Sequence, residues 1–196
     1  TIAIGFLAGS KAADPTNGCG IFIGRYAGCL AEQGNAIMIG CDAGRCAVDV
    51  ENAIFIGADA GKCACNEAHG NLFIGDHAGK GSSTLADNIG TYNIAFGKNA
   101  LVGFTSASDN VVIGSNAGYS LTSGSCNIFL GKCTGGNSTT GYDNVAIGCC
   151  AMGLCATTGF GNISIGKRAG YRMLDGSDNV SIGHGAGCRL TTATGN

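Results

Sequence analysis

The sequence predicts an all-β protein, a parallel β-solenoid (β-roll) of about eleven coils of 16–22 residues each, with a left-handed wind. Three observations predict it. One motif, apolar-x-apolar-Gly-x-x-Ala-Gly, recurs from end to end of the 196 residues. Its first glycine falls at Gly5, Gly24, Gly40, Gly57, Gly75, Gly97, Gly114, Gly131, Gly148, Gly166 and Gly183, and most of the steps between them are 17 or 18 residues. The residues just before each glycine alternate with period 2 and are rich in Ile and Val, the pattern of a short strand, and no stretch carries a helical period. Two strands and two corners fit in one repeat, so residues 1–196 read as a single repeat domain about 50 Å long at the usual inter-strand spacing.

With the anchor glycine as position 0, each column has a physical task. Positions −3 and −1 are apolar in all eleven repeats, from Ile2 and Ile4 to Val180 and Ile182, and are expected to point into the core. Position −2 reads Ala3, Phe22, Met38, Phe55, Phe73, Ala95, Val112, Phe129, Ala146, Ser164 and Ser181. Alternation then puts this row outside. An exposed stripe of Phe22, Met38, Phe55, Phe73, Val112 and Phe129 is expected to pack against another chain, or against a second layer of the same chain. The anchor glycine ends the strand where the backbone turns or closely approaches its neighbour. Position +3 is Ala in ten repeats and Thr134 in the other, and +4 is Gly in nine, with Leu101 and Met152 as exceptions. A second, weaker strand is expected at segments such as Tyr119–Leu121 and Cys188–Leu190. The 22-residue step from Gly75 to Gly97 predicts a loop around residues 81–87.

Position −4 is Asn in seven repeats: Asn71, Asn93, Asn110, Asn127, Asn144, Asn162 and Asn179. Stacked at one spacing, these side chains can form a hydrogen-bonded ladder, or each can cap its own turn. Asn35 and Asn52 fall one residue earlier.

Twelve cysteines suggest an oxidising, extracellular setting. Cys46 and Cys63 share position +6 of adjacent coils, and Cys133 and Cys150 share +2, which makes these the candidate disulfides. The other eight cannot be paired from sequence, and links between chains stay open. Cys63, Cys65, His69 and His77 are of metal-ligand type, but their spacing matches no zinc pattern, so no metal site is expected.

Composition narrows the function. Net charge is −2, which gives no electrostatic footprint for nucleic acid, and no apolar run reaches membrane-helix length. The 36 glycines follow no collagen period, and the chain holds one proline. Asp and Glu are scattered over corners without the pairing that acid–base catalysis needs. No catalytic residue and no cofactor are expected. Thr1 is not an initiator Met and Asn196 falls where the next repeat's Asn would be, so a processed chain or a segment of a longer one is expected, stacking end to end.

Repeats such as the run from Asn110-Val111-Val112-Ile113-Gly114 to Gly124 resemble the head repeats of trimeric autotransporter adhesins and the related repeats of phage tail fibres. The resemblance covers essentially the whole chain. It implies a β-roll, commonly trimeric, in a cell-surface appendage or virion fibre, acting by reach and adhesion. The expected partner is the chain itself, as a trimer or an end-to-end filament, with a host-surface or glycan ligand in the adhesin or receptor-binding alternative. The family's heads have shorter periods and little cysteine. Ile-Gly-x-x-Ala-Gly also looks like one unit of the hexapeptide-repeat acyltransferases, a remote enzymatic alternative. A cleft between subunits holding His69 or His184 would favour it.

Overall fold

The computed structural model describes residues 1–11, 19–31, 35–64, 67–82, 88–154 and 157–195. Each repeat contributes one three-residue strand: β1 (Ile2–Ile4), β2 (Ile21–Ile23), β3 (Ile37–Ile39), β4 (Ile54–Ile56), β5 (Leu72–Ile74), β6 (Ile94–Phe96), β7 (Val111–Ile113), β8 (Ile128–Leu130), β9 (Val145–Ile147), β10 (Ile163–Ile165) and β11 (Val180–Ile182). They form one parallel sheet in chain order. Register is locked to the repeat, so that Phe55 lies between Met38 and Phe73, and Val112 between Ala95 and Phe129. The fold is therefore a parallel β-solenoid, without a helix among the described residues. The inserted loop falls largely on residues 83–87, and the expected end-to-end junction on residue 196, outside the described residues.

The anchor column ends each strand at φ between 120° and 137°. A Cβ added at Gly5 would sit 2.5 Å from the carbonyl oxygen of Gly24 in the next coil. Backbones touch there, and only glycine fits. Two successive turns follow. Ala27 N–H donates to the Gly24 carbonyl and Ala31 N–H to the Gly28 carbonyl, while Gly28 N–H reaches across to Ala43 of the next coil. Positions +2 and +4 take left-handed φ near 55°, as at Asp42 and Gly44. The far side of the coil is not a second strand. Tyr119–Leu121 and Cys188–Leu190 lie in turns and irregular backbone, because the two left-handed residues keep the chain curving. That side still bonds between coils, as from Ser120 N–H to the Gly136 carbonyl.

The core corrects the inside-outside assignment. Phe22, Met38, Phe55, Phe73, Val112 and Phe129, expected on an outer packing face, are fully buried inside the coils. The flanking rows at −3 and −1 point outward instead, with Ile4, Phe96 and Ile182 exposed by more than half. The corner Ala at +3 decides the direction. It is buried, as at Ala27, Ala43, Ala60 and Ala117, and closes the interior over the −2 side chains.

Three inward columns then share one volume. Where −2 is large, +4 and +7 are small: Phe22 with Gly28 and Ala31, Met38 with Gly44 and Ala47, Phe55 with Gly61 and Ala64, Phe129 with Gly135 and Ser138. Where −2 is small, the filling comes from elsewhere: Ala95 with Leu101 and Phe104, Val112 with Leu121, Ala146 with Met152, Ser164 with Met173. A Cβ at Gly61 would lie 2.6 Å from the Phe55 ring, so the ring requires that glycine. Leu101 and Met152, the two departures from glycine, fill coils whose central residue is Ala, and accept φ of 53° and 49° to do so. Native packing density demands this compensation. Phe55 and Phe73 stack at 5.2 Å along the axis, and Phe104 meets Phe73 edge-on at 5.3 Å.

Beside the core runs the Asn column. The Asn110 Oδ1 accepts the backbone N–H of Asn127 at 2.9 Å and its Nδ2–H at 3.0 Å, and the Asn127 Nδ2 also donates to the Gly141 carbonyl at 2.8 Å. The same pattern repeats from Asn71 to Asn179, all seven buried. In the third and fourth coils Ala36 and Ala53 hold this position, and Asn35 and Asn52 take the left-handed site before it.

Two outcomes check this account. Phe55→Ala is expected to cost about 3–5 kcal/mol in denaturant unfolding, and adding Gly61→Leu to recover at least about 1 kcal/mol, copying the Ala95/Leu101 coil. Asn127→Ala leaves the Asn144 N–H and the Gly141 carbonyl of the following coil without their side-chain partner and is expected to cost at least about 2–3 kcal/mol, with amide exchange rising at Asn144.

Candidate functional site

The surface carries two distinct faces. The first is the outward side of the sheet, where the −3 and −1 rows make an aliphatic stripe along all eleven strands. Two exposed rows border it. Position −5 includes Cys19, Asp109, Cys126, Asp143 and Asp178, and position +1 includes Cys41, Lys98, Lys132, Cys149 and Lys167. Asp109 and Asp143 flank Cys126 in one column; slight burial and these two charges push its thiol up. In the other column Arg25 donates to the Cys41 sulfur at 3.3 Å.

The second is the turn face, built by positions +1, +2 and +5. In the third to sixth coils it holds a continuous ion-pair chain. Arg45 meets Asp42 at 3.4 Å, Lys62 joins Asp42 at 3.1 Å to Asp59 at 3.0 Å, and His77 bridges Asp59 and Asp76. Lys98 closes it on Asp76 at 3.3 Å. Burial alone would raise the Asp42 carboxyl, but the hydrogen bond and charge of Lys62, with Arg45 and Arg25, outweigh it and hold it below the ordinary carboxylate value. Burial would likewise raise the Asp76 carboxyl, but the hydrogen bonds and charges of His77 and Lys98 together outweigh it and hold it down. In the last two coils the same face is cationic. Arg168, Tyr171, Arg172, His184 and Arg189 line an open cleft of about 360 Å³ that carries no carboxylate.

The candidate disulfides are corrected. Cys46, Cys63, Cys133 and Cys150 are all free thiols. In-register parallel stacking points equivalent Cα–Cβ bonds the same way, whereas a bridge needs them turned toward each other with a twist near 90°. Burial pushes the Cys46 and Cys63 thiols up, and the nearby thiols of Cys29 and Cys46 respectively add to it. Cys65 and Cys155 lie outside the described residues. The suspected ligand group is not assembled: His69 Nδ1 accepts the Glu51 N–H at 3.0 Å, and His77 belongs to the ion-pair chain. Among the described residues no three His, Cys, Asp or Glu side chains gather as a metal set.

Sequence reasoning missed the aliphatic stripe and its charged borders. The signal was available in the size compensation of positions −2, +4 and +7, which marks those columns as one interior. Comparison with family models, with curated proteins and with solved structures finds no match to this chain.

The ion-pair chain makes the third to sixth coils acid-sensitive. Carboxyls lowered in the folded state contribute stability above their unfolded value near 3.8 and lose it as pH falls through the folded value. Lowering pH from 6 to 3 is expected to reduce the melting temperature, and Asp42→Asn to remove about 2–4 °C at pH 6 and much less at pH 3, as read by circular dichroism.

Proposed function

We propose that this chain is a non-enzymatic structural subunit of an extracellular fibre, and that it associates side by side with copies of itself through the outward face of its sheet. One observation carries the reading: two unbroken apolar rows, aliphatic except for Phe96, about 7 Å apart and roughly 50 Å long, lie half-buried to exposed on the outer face. A lone soluble chain rarely exposes a contiguous apolar area of that extent. Its period matters as much as its polarity. Side chains repeat every 4.8 Å or so, and the surface that matches that pitch over eleven strands is another stack of the same coils. Resemblance to trimeric adhesin heads and tail-fibre repeats supports a surface appendage, and the twelve cysteines support an oxidising location. Mechanically, such a fibre resists unfolding because every coil shares backbone ladders and a continuous core with both neighbours.

A second reading, an adhesin or receptor-binding module, is favoured by Tyr142 and Phe160. Their rings stack at 4.9 Å on one exposed loop edge, as surfaces that hold sugar rings do.

Sedimentation tests the first reading. The chain is expected to be oligomeric at micromolar concentration in reductant. Ile113→Lys with Ile128→Lys, both outward and partly exposed, is expected to give monomers with an unchanged circular dichroism spectrum. A monomeric parent chain at these concentrations overturns the proposal.

A further inference from the structure

The rows that border the aliphatic stripe specify how two copies meet. Position −5 carries carboxylates and thiols, Cys19, Asp109, Cys126, Asp143 and Asp178, all exposed. Position +1, on the opposite border, is mainly cations and thiols, with Cys41, Lys98, Lys132, Cys149 and Lys167 exposed; its one carboxylate, Asp76, is paired with Lys98 of its own chain. Rotating a copy about an axis parallel to the rod brings the −5 border of one chain against the +1 border of the next. Rotating it about a perpendicular axis sets like border against like, acid against acid. Charge therefore selects parallel rods.

The axial register follows from pairing the rows coil by coil. With equal coils opposed, Asp109 meets Ser115, Cys126 meets Lys132 and Asp143 meets Cys149, which joins neither charges nor thiols. Shifted so that −5 of one coil faces +1 of the preceding coil, Asp109, Asp143 and Asp178 meet Lys98, Lys132 and Lys167, but all four border cysteines are left without a thiol. Shifted the other way, −5 faces +1 of the following coil. Asp109 then meets Lys132, Asp143 meets Lys167, Cys19 meets Cys41 and Cys126 meets Cys149. Four matched pairs, two ionic and two thiol, share one offset.

We infer that copies of this chain pack as parallel rods offset by one coil, with Cys19 of one chain opposite Cys41 of the next and Cys126 opposite Cys149, so that oxidation staples the fibre between chains. The inference rests on the lateral association proposed above and adds its orientation, register and covalent chemistry. None of the four thiols is in a disulfide within the chain, although Cys41 accepts a hydrogen bond from Arg25 and Cys149 lies 3.6 Å from the Cys150 sulfur. The oxidant is a small-molecule disulfide: a thiolate of one border attacks it and expels one small thiol, and the facing thiolate then attacks the mixed disulfide and expels the second. Two protein thiols lose two protons and two electrons, and the oxidant becomes two thiols.

Oxidised glutathione added to the full chain, followed by non-reducing electrophoresis and mass spectrometry of the linked peptides, tests this. Cys19–Cys41 and Cys126–Cys149 peptides spanning two chains are expected. In a Cys19→Ser/Cys41→Ser background, neither Cys126→Ser nor Cys149→Ser alone is expected to give the Cys126–Cys149 link, and an equal mixture of the two to restore it. Like-to-like links, Cys126 to Cys126 or Cys149 to Cys149, overturn the inference, as does an oligomer whose border thiols stay unlinked under oxidation. Either result leaves lateral association standing, because sedimentation in reductant reads that separately.

Discussion

Everything in this molecule depends on one constraint: chemically equivalent residues must lie one above another at the spacing of a parallel backbone ladder. The close approach of Gly5 to the Gly24 carbonyl, repeated from coil to coil, holds that spacing at the end of every strand. A side chain there would push two coils apart and break the ladders on both sides of the corner. Once the spacing is fixed, each column becomes a continuous row, and the chemistry of a row is multiplied by the number of coils.

The rows illustrate how the same stacking serves different ends. For Asn it is favourable, because an amide carries both a donor and an acceptor and bonds to a copy of itself, leaving one further N–H for a corner carbonyl. Large aromatics tolerate it by offset and stacked packing, as between Phe55 and Phe73. Like charges oppose it, and the turn face answers by alternating: Asp42, Lys62, Asp59 and His77 interleave across coils, so no carboxylate stands without a cation. The last two coils do not interleave, and their turn face is correspondingly cationic.

Packing inside a coil is a local negotiation of volume, in which no single column is invariant in size. Phe22, Met38, Phe55 and Phe73 fill the first half of the array from the strand side, while Phe104, Leu121 and Met173 fill the second half largely from the far side. The interior thus changes which wall supplies its bulk without changing its cross-section. The outward apolar rows keep their order and register along the whole sheet.

Sequence by itself determined the solenoid, its repeat, the strand positions and the anchor glycine, because period and residue type are properties of the chain alone. It also placed the Asn column, since equal spacing in the chain becomes adjacency in space. The direction of the strands was decided by tertiary structure. Alternation places two rows on opposite faces without saying which is inside, and both rows here are apolar, so hydropathy offers no vote between Ile54 and Phe55. Closure of the coil over Ala60 and Gly61 settles it, because the cavity left by small corner residues admits the central ring and leaves the flanking isoleucines outside. The state of the thiols was likewise beyond the chain's one-dimensional pattern. Shared register brings Cys46 and Cys63 together, but the direction of their Cα–Cβ bonds, which the coil geometry sets, leaves both free.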